Sequence, residues 1–353
     1  MAAALGVLVS CGSVKSGEEV VAASRDSKVV VAYVTSWSEV MPDPQYMTHI
    51  NYAFGHVNES FNGVKIDNEE RLRQIVDLRK QKPELKVLLS IGGWGSGRFS
   101  EMAANDEYRR AFVADCARVV KEFALDGIDI DWEYPTSSMA NISSSPDDTE
   151  NFTLLMQDIR AAIGNEKELT LATVASARYI DFKAILPSVD FVNIMAYDMA
   201  SAPKHHSALY PSGHSGDITS DGAVTAHLKA GVPPSKLVMG MPFYGRGGDG
   251  YPSFQDYNKV GNTDTQYTEK WDEVAQVPYL ADKNDTLVFG FENPRSLAIK
   301  CQYILDKDLL GGMYWDYSGD NEQGDLRRTV AENLLGKPHK AKVLVLTERG
   351  GQP

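Results

Sequence analysis

The sequence contains few cysteines, no excess of basic residues and no long apolar run. Three cysteines among 353 residues leave no disulfide framework of the kind that small secreted domains use. A formal net charge of −13 argues against a surface for nucleic acid or anionic membranes, because phosphate contacts need clustered Lys and Arg. The apolar run Ala2 to Val9 is too short to span a bilayer. With 43% hydrophobic and 24% charged residues, the composition is that of an ordinary globular protein.

The sequence also lacks complete motifs for nucleotide or metal binding. The glycine-rich runs Gly92 to Gly97 and Gly245 to Gly250 neither end in Gly-Lys-Ser/Thr nor open a dinucleotide-binding unit. His205, His206 and His214 lie close together, but no Cys or closely spaced acid completes a set of ligands. We therefore predict neither a metal nor another cofactor.

The three cysteines have separate explanations. Cys116 and Cys301 lie on predicted helices among apolar neighbours, which indicates buried small hydrophobes. Leu8-Val9-Ser10-Cys11 resembles the lipobox of bacterial lipoproteins, in which the cysteine is lipidated after cleavage. No Lys or Arg precedes this run, so an accidental match stays open. We expect lipidation at Cys11, a tether over residues 12–27, and a bacterial protein that is either a cell-envelope lipoprotein or secreted.

From residue 28 onward, apolar strand-like runs alternate with amphipathic stretches, the pattern of a parallel α/β fold. A (β/α)8 TIM barrel of about 250 residues with decorations fits this length as one domain. The predicted strands are Val29 to Trp37, Met47 to Phe54, Leu85 to Ser90, Gly127 to Glu133, Leu169 to Ser176, Phe191 to Tyr197, Leu237 to Tyr244 and Gly311 to Trp315. The predicted helices include Glu69 to Lys80, Glu107 to Phe123, Thr149 to Ile163, Pro294 to Leu305 and Asp325 to Leu335.

The most informative stretch is the fourth predicted strand, which carries three acids at alternate positions. Successive side chains of a strand point to opposite faces, so Asp129, Asp131 and Glu133 share one face while Ile130 and Trp132 occupy the other. Like charges this close cannot all ionise at neutral pH. A carboxyl that keeps its proton near pH 7 is suited to general-acid chemistry.

This run closely resembles the DGxDxDWE signature of the family 18 glycoside hydrolases, the chitinase family. The resemblance extends over roughly residues 29 to 336, with motifs in the family's order. The further matching elements are Tyr33 to Trp37, Asn51 to Phe54, Ser90-Ile91-Gly92-Gly93-Trp94, Met195-Ala196-Tyr197-Asp198, Met241 to Arg246, and Gly312-Met313-Tyr314-Trp315.

The resemblance implies an endo-acting chitinase that hydrolyses β-1,4 N-acetylglucosamine linkages with retention of configuration. Glu133 would be the general acid, and the substrate's own acetamido oxygen would attack the anomeric carbon. Asp131 would orient the acetamido N–H, and Asp129 would share a proton with Asp131. Tyr197 would donate a hydrogen bond to the acetamido carbonyl. The implied substrate-binding residues are Trp315, Asp198, Met195, Tyr244, Arg246, Trp94 and Tyr33. For Trp94 and Tyr33, stacking on a sugar ring and packing in the core are both open.

The longest stretch between strands, Gly247 to Leu310, holds the seventh helix and an insertion. Many chitinases of the family carry a full α+β domain there, and this stretch is too short for one. We therefore predict a reduced insertion between strands seven and eight and a shallower cleft, which would favour cleavage within chains. The predicted domains are a signal and tether (1–27), a catalytic barrel (28–338), and a tail or the start of another domain (339–353).

Two other functions remain open from the sequence. An endo-β-N-acetylglucosaminidase acting on N-glycans would use the same residues, although Trp132 and Tyr134-Pro135 are more typical of chitinases. A catalytically silent chitin-binding lectin would usually lack the acid that Glu133 supplies. The expected partner is chitin or another N-acetylglucosamine-containing glycan, and the expected state is a monomer without nucleic acid, touching a membrane only through its lipid.

Overall fold

The computed structural model describes residues 28–248, 250–260 and 266–336. In this part of the chain there are fourteen strands, most of them short and buried. They are β1 (Val29–Thr35), β2 (His49–Val57), β3 (Val64–Ile66), β4 (Lys86–Gly92), β5 (Gly127–Asp131), β6 (Glu168–Val174), β7 (Phe191–Met195), β8 (Leu237–Pro242), β9 (Tyr244–Gly247), β10 (Gln255–Asp256), β11 (Thr268–Asp272), β12 (Val277–Ala281), β13 (Leu287–Gly290) and β14 (Gly311–Trp315).

Eight of the described strands form a closed parallel barrel. The order around it is β1, β2, β4, β5, β6, β7, β8 and β14. β1 closes the ring because Ala32 pairs with Tyr314 on one side and Tyr33 pairs with Asn51 on the other. Strands buried on both faces are apolar along most of their length, which explains why the runs were visible in the sequence. The predicted (β/α)8 barrel is confirmed.

Helices follow most of the barrel strands and cover the outside of the sheet. Five of the described helices begin at a residue whose side chain accepts a hydrogen bond from the first turn: Asn68, Asn105, Asp181, Thr219 and Asn293. The Asn105 side chain accepts hydrogen bonds from the backbone N–H groups of Glu107 and Tyr108. Asn293 and Ser296 cap each other reciprocally. The described helices are α1 (Glu69–Val76), α2 (Phe99–Ala104), α3 (Asp106–Glu122), α4 (Asp148–Ile163), α5 (Phe182–Ile185), α6 (Ser220–Lys229), α7 (Pro294–Asp306) and α8 (Asp325–Leu334).

The insertion between β8 and α7 is a small antiparallel sheet of strands β9 to β13, in the order β10, β9, β13, β12, β11. Its apolar residues Leu280, Phe289 and Phe291 are buried in a cluster of their own. The described residues of the insertion contain a 3-10 turn at Tyr257–Lys259 and no α-helix. The reduced insertion predicted from the sequence is therefore an all-β element.

The sequence predictions for the outer parts of the chain have different outcomes. Cys116 in α3 and Cys301 in α7 are fully buried, as predicted. Cys11, the tether and residues 339–353 lie outside the described residues. Within the described ranges, no helix has both the length and the apolar character needed to cross a bilayer.

A buried polar cluster joins the insertion to the barrel. Lys300 of α7 donates hydrogen bonds to Ser207, at 2.5 Å to the carbonyl oxygen and 2.6 Å to the hydroxyl. It also pairs with the carboxylate of Glu292, which follows β13. The side chains of Lys300 and Glu292 are both completely buried. Burial lowers the pKa of Lys300 while Glu292 opposes that change, so each charge depends on the other.

We predict that Glu292→Leu destabilises the protein by about 3–5 kcal/mol, because it leaves Lys300 buried without a counterion. Urea denaturation followed by circular dichroism measures the change. The double variant Glu292→Leu/Lys300→Met removes both charges and should regain much of the loss. Asp77→Asn, which removes an exposed ion pair with Lys80, is the surface control and should leave the midpoint unchanged. An unchanged midpoint for Glu292→Leu would contradict the prediction.

Candidate active site

A cavity of about 670 Å³ opens at the carboxyl ends of the barrel strands. Parallel strands bring their ends together at one face of a barrel, where loops can assemble a site. Each of the eight strands, or the segment that follows it, contributes to the lining. One contributor from each, in chain order, is Tyr33, Phe54, Trp94, Glu133, Ala172, Tyr197, Tyr244 and Trp315.

The three acids form a column that rises from the barrel interior to this cavity. Asp129, Asp131 and Glu133 are 0%, 4% and 8% exposed, and the upper two line the cavity. The alternate residue Trp132 faces the helices and stacks on Phe99 at 5.3 Å. The alternation predicted from the sequence is therefore present. The strand itself ends at Asp131 rather than at Glu133, because its ladder with β4 ends where Gly92 lies opposite Asp131.

Gly92 allows β4 to pass close to the acid column. A Cβ atom at this position would lie 1.9 Å from the carbonyl oxygen of Asp131, and the backbone has a positive φ of 132°. Only glycine tolerates both the close approach and this conformation. The next residue, Gly93, donates a backbone hydrogen bond of 2.9 Å to the same carbonyl. From there the chain leaves the sheet through residues 92–98, here called the glycine loop.

Asp129 is surrounded by hydrogen-bond donors. Its carboxylate accepts from four side chains on four other strands. They are Tyr33 Oη at 2.9 Å, Ser90 Oγ at 2.8 Å, Thr170 Oγ1 at 2.6 Å and Asn193 Nδ2 at 3.3 Å. Burial raises the pKa of Asp129, and these four donors oppose the rise by favouring the charged form. The sharing of a proton between Asp129 and Asp131 stays a prediction.

Asp131 and Glu133 have pKa values shifted upward. Burial raises the pKa of Asp131 well above its usual value, and the charges of Glu133 and Asp129 raise it further. Burial also raises the pKa of Glu133, to about 7. A hydrogen bond with Tyr134 lowers this pKa in part, and the charge of Asp198 raises it further. A carboxyl that holds a proton near neutral pH and faces an open cavity can act as a general acid.

Asp198 lines the same cavity, but its pKa is shifted downward, in the opposite direction to those of Asp131 and Glu133. Arg246 donates two parallel hydrogen bonds to it, from Nε and Nη2, each 2.7 Å long. His206 Nδ1 lies 3.4 Å from the Asp198 Oδ1 atom. Burial alone would raise the pKa of Asp198, but Arg246 and His206 outweigh burial and hold that pKa below its usual range. Asp198 is therefore a carboxylate, and it is already bound to a cation.

Tyr197 and Met195 lie at the end of β7 and line the cavity. Burial and the nearby Asp131 and Glu133 charges raise the pKa of Tyr197 well above its usual value. Its hydroxyl therefore keeps its proton and remains a hydrogen-bond donor. In the structure it points at Met313 Sδ, 3.8 Å away.

Aromatic side chains form the remaining walls. Trp315 stacks on Phe54 at 5.5 Å and contacts Tyr33 at 5.7 Å. Trp94 is 62% exposed at the rim, as its predicted stacking role requires. Tyr33 is only 2% exposed. Its hydroxyl donates a hydrogen bond to Asp129, so Tyr33 supports the acid column. Its contact with a sugar ring stays a prediction. Tyr244 packs on Phe254 of the insertion at 4.7 Å.

Several lining residues were not identified as site residues from the sequence. Among them are Trp37, Phe54, Tyr134, Met139 and Phe254. Trp37 and Phe54 stood at the ends of predicted strands, and the barrel rule could have singled them out. Met139 and Phe254 lie in loops, where no pattern in the sequence marks them. Trp37 is 63% exposed, and like Trp94 it lines the cavity.

The three histidines after β7 do not converge on one point. His205 Nε2 lies 3.1 Å from Asp272 Oδ2, and His206 faces Asp198. Burial lowers the pKa of His205 to about 4, against the Asp272 contact. His214 is exposed. Among the described residues, no group of three or more His, Cys, Asp or Glu side chains is arranged to hold a metal ion.

Comparisons with known proteins agree with this geometry. The family described as "Glycosyl hydrolases family 18" matches residues 29–320. Chitinase A1 of Niallia circulans is 29% identical over 86% of this chain, which spans 58% of that protein. Chitotriosidase-1 of Mus musculus is 31% identical over 84% of this chain and 74% of its own length. A solved family 18 N-acetylglucosaminidase from Paenibacillus barengoltzii is 32% identical, with a TM-score of 0.80 over 87% of this chain and 99% of that one.

The chain therefore belongs to family 18 of the glycosyl hydrolases. It is an enzyme, a glycoside hydrolase, as the sequence predicted.

We predict that kcat/KM for glycoside hydrolysis falls as the pH rises through about 7, because Glu133 then loses the proton that it must donate. Below that pKa the carboxyl is protonated, so kcat/KM should not change with pH there until other groups titrate. Initial rates with a chromogenic N-acetylglucosaminide, measured from about pH 5 to 9, give the profile. Enzyme returned from the highest pH to neutral pH controls for unfolding. A rate that stays constant up to about pH 9 would rule out this assignment.

Proposed function

We propose that this glycoside hydrolase is an endo-acting chitinase that cleaves β-1,4 linkages between N-acetylglucosamine units. The observation that carries the proposal is the position of Glu133, a carboxyl with a pKa of about 7, in one cavity with Asp131 and Tyr197. The names of the two curated relatives, Chitinase A1 and Chitotriosidase-1, support the same substrate class.

The charge state of the other acids favours a substrate-assisted mechanism. A retaining enzyme with two carboxylates needs a second, ionised carboxylate free to attack the anomeric carbon. Asp198 is ionised but is occupied by two hydrogen bonds from Arg246. Asp131 has a strongly raised pKa and is a weak nucleophile while protonated. The acetamido oxygen of the substrate is then the remaining nucleophile.

In the proposed first step, Glu133 gives its proton to the glycosidic oxygen while the acetamido carbonyl oxygen attacks the anomeric carbon. The bond to the leaving sugar breaks, and an oxazolinium ion forms with inverted configuration. Tyr197 donates a hydrogen bond to the acetamido group. The carbonyl oxygen of the Asp131 carboxyl accepts a hydrogen bond from the acetamido N–H, and this hydrogen bond strengthens as positive charge develops on the acetamido group. In the second step Glu133, now ionised, takes a proton from water. The water attacks the same carbon, and the bond from that carbon to the acetamido oxygen breaks. The acetamido group is restored, and the product has the original configuration.

The openness of the cleft supports cleavage within chains. A second groove of about 510 Å³ shares Trp37, Phe54 and Trp94 with the main cavity, so the binding surface continues past the acid column. On the other side, the insertion contributes Arg246 and Phe254 to the wall. Exposed indole rings at positions 37 and 94 offer flat apolar surfaces for sugar rings on a longer chain.

We further propose that the enzyme acts outside the cytoplasm, as a monomer consisting of the catalytic barrel over 28–338 behind a lipid-anchored tether over 1–27. The resemblance of Leu8 to Cys11 to a lipobox supports this location. The same proposal treats residues 339–353 as a tail or the start of another domain.

Glu133→Gln should lower kcat by at least about 10²–10⁴-fold, because the amide cannot donate the catalytic proton. Binding of a chitin hexasaccharide, measured by calorimetry, should stay within about threefold of wild type because the shape is kept. Asp131→Asn should lower kcat by a similar factor. Glu168→Gln is the matched control, since Glu168 lies at the opposite end of the barrel and contacts His49. A Glu133→Gln variant with wild-type turnover would refute the assigned role.

Product analysis tests the substrate and the mode of cleavage. Purified enzyme is incubated in parallel with a chitin hexasaccharide and an N-glycosylated protein. We expect chito-oligosaccharides of intermediate length early in the reaction, with the β-configuration retained. Release of intact N-glycans with the hexasaccharide untouched would instead indicate an endo-β-N-acetylglucosaminidase. Single N-acetylglucosamine units as the sole early product would indicate an activity like that named for the Paenibacillus barengoltzii enzyme. Binding without any product would indicate a lectin.

A further inference from the structure

Two histidines on strand β2 each contact a carboxylate, at opposite ends of the barrel. His49 Nε2 lies 3.0 Å from Glu168 Oε2 at the amino-terminal end. His56 Nε2 lies 3.0 Å from Asp67 Oδ2 at the carboxyl-terminal end, where the candidate active site opens. His56 has a second partner, since its Nδ1 atom lies 2.8 Å from the hydroxyl oxygen of Ser96. His56 thereby connects Asp67, just after β3, with the glycine loop after β4.

The partners of His56 define how its ring is oriented. An ionised carboxylate only accepts hydrogen bonds, so the Nε2 atom of His56 carries the hydrogen that faces Asp67. In the neutral ring the Nδ1 atom is then an acceptor, and the hydroxyl of Ser96 donates to it. Asp67 therefore fixes both the tautomer and the direction of the ring, as carboxylates do for histidines elsewhere. The three side chains form a connected series, here called the loop latch.

Few other contacts hold the glycine loop. Within it, the backbone N–H of Ser96 donates a hydrogen bond of 2.9 Å to the carbonyl oxygen of Gly93, which closes a turn around Trp94. Four of its seven positions are glycines, and Gly93, Gly95 and Arg98 have positive φ angles. At the start of the loop, Gly93 donates its backbone hydrogen bond to Asp131. At the end of the loop, the chain enters α2. Across the described part of the chain, the contact between Ser96 and His56 is the only hydrogen bond made by a side chain of residues 94–98. Glycine-rich backbone has the most conformational freedom to lose, so this one contact narrows the positions that the loop can take.

The residue that the loop carries into the cleft is Trp94. Its ring is 62% exposed and lies edge-on to Tyr134, with 6.5 Å between ring centroids. Trp94 lines both the main cavity and the second groove, and the second groove is also lined by His56, Asp67 and Ser96. The loop latch thus lines the same groove as the indole that a bound sugar chain would meet.

We propose that His56 is a positioning residue for substrate binding: held by Asp67, it holds Ser96 and so keeps the glycine loop where Trp94 presents its ring to the sugar chain. This inference rests on the proposed function as a chitinase. It assigns to His56, Ser96 and Asp67 a role in affinity for long chains, exerted through Trp94, and no part in the bond-breaking steps.

A double-mutant cycle tests the inference. His56→Gln should raise KM for a chitin hexasaccharide about three- to ten-fold, the size expected from losing a hydrogen bond, with kcat within about twofold. In a Trp94→Ala background the same change should have no further effect on KM, because residues that act through one another are not additive. Ser96→Ala should behave like His56→Gln. Ser96→Thr, which keeps the hydroxyl, should restore a KM near that of wild type.

His49→Gln is the matched control, since it breaks a contact of the same kind and length on the same strand but far from the cleft. It should lower the melting temperature without changing KM, and its effects should add to those of Trp94→Ala. The inference is overturned if His56→Gln leaves KM unchanged, if its effect adds fully to that of Trp94→Ala, or if His49→Gln raises KM equally.

A second measurement does not depend on activity. If the wild-type enzyme fails to cleave the hexasaccharide, the proposed function is at fault, and the position of Trp94 can still be read by fluorine NMR of protein labelled with 5-fluorotryptophan. The Trp94 resonance is identified by its loss in Trp94→Phe. His56→Gln and Ser96→Ala should shift or broaden that resonance, and His49→Gln should not. An identical Trp94 resonance in all of these proteins would overturn the role of the loop latch.

Discussion

The burial of three acids without a counterion is the constraint on which this structure depends. Among the ion pairs of the described residues, none involves Asp129, Asp131 or Glu133. A charge removed from water must be paired, hydrogen-bonded or neutralised by a proton. Asp129 is satisfied by four donors from the barrel interior, while Asp131 and Glu133 have raised pKa values. The barrel thus favours protonated carboxyls at the end of one strand, and these carboxyls face the cleft.

The rest of the barrel keeps the three acids buried and fixes their positions. The donors to Asp129 come from four different strands, so the carboxylate can be satisfied only when the sheet has closed. Gly92 lets β4 approach the carbonyl of Asp131, and Trp132 packs against Phe99 on the outside. The aromatic walls around Trp315 limit the access of water from above. Folding and the tuning of the acid pKa values are in this sense one event.

The sequence was sufficient for features that depend on local periodicity. Alternation along residues 127–133 predicted which acids share a face, and apolar runs predicted all eight barrel strands with ends correct to within a few residues. It was not sufficient for contacts between distant parts of the chain. Arg246 and Asp198 are 48 residues apart, and their pairing depends on how β9 leaves the barrel. The hydrogen bond from the Tyr33 hydroxyl to Asp129 also joins distant parts of the chain, and the sequence does not show it.

The cleft contains carboxyls whose environments separate their pKa values, which is how one site can hold a proton and a negative charge at the same pH. Asp198 is ionised because Arg246 binds it in a planar, bidentate arrangement, whereas Glu133 is protonated because it is buried without a cation. The two are coupled, since the charge of Asp198 is one of the factors that raise the pKa of Glu133. Arg246 therefore has an effect beyond its own ion pair. By fixing the carboxylate of Asp198 it holds a negative charge at a constant place beside Glu133, and so contributes to keeping a proton on Glu133.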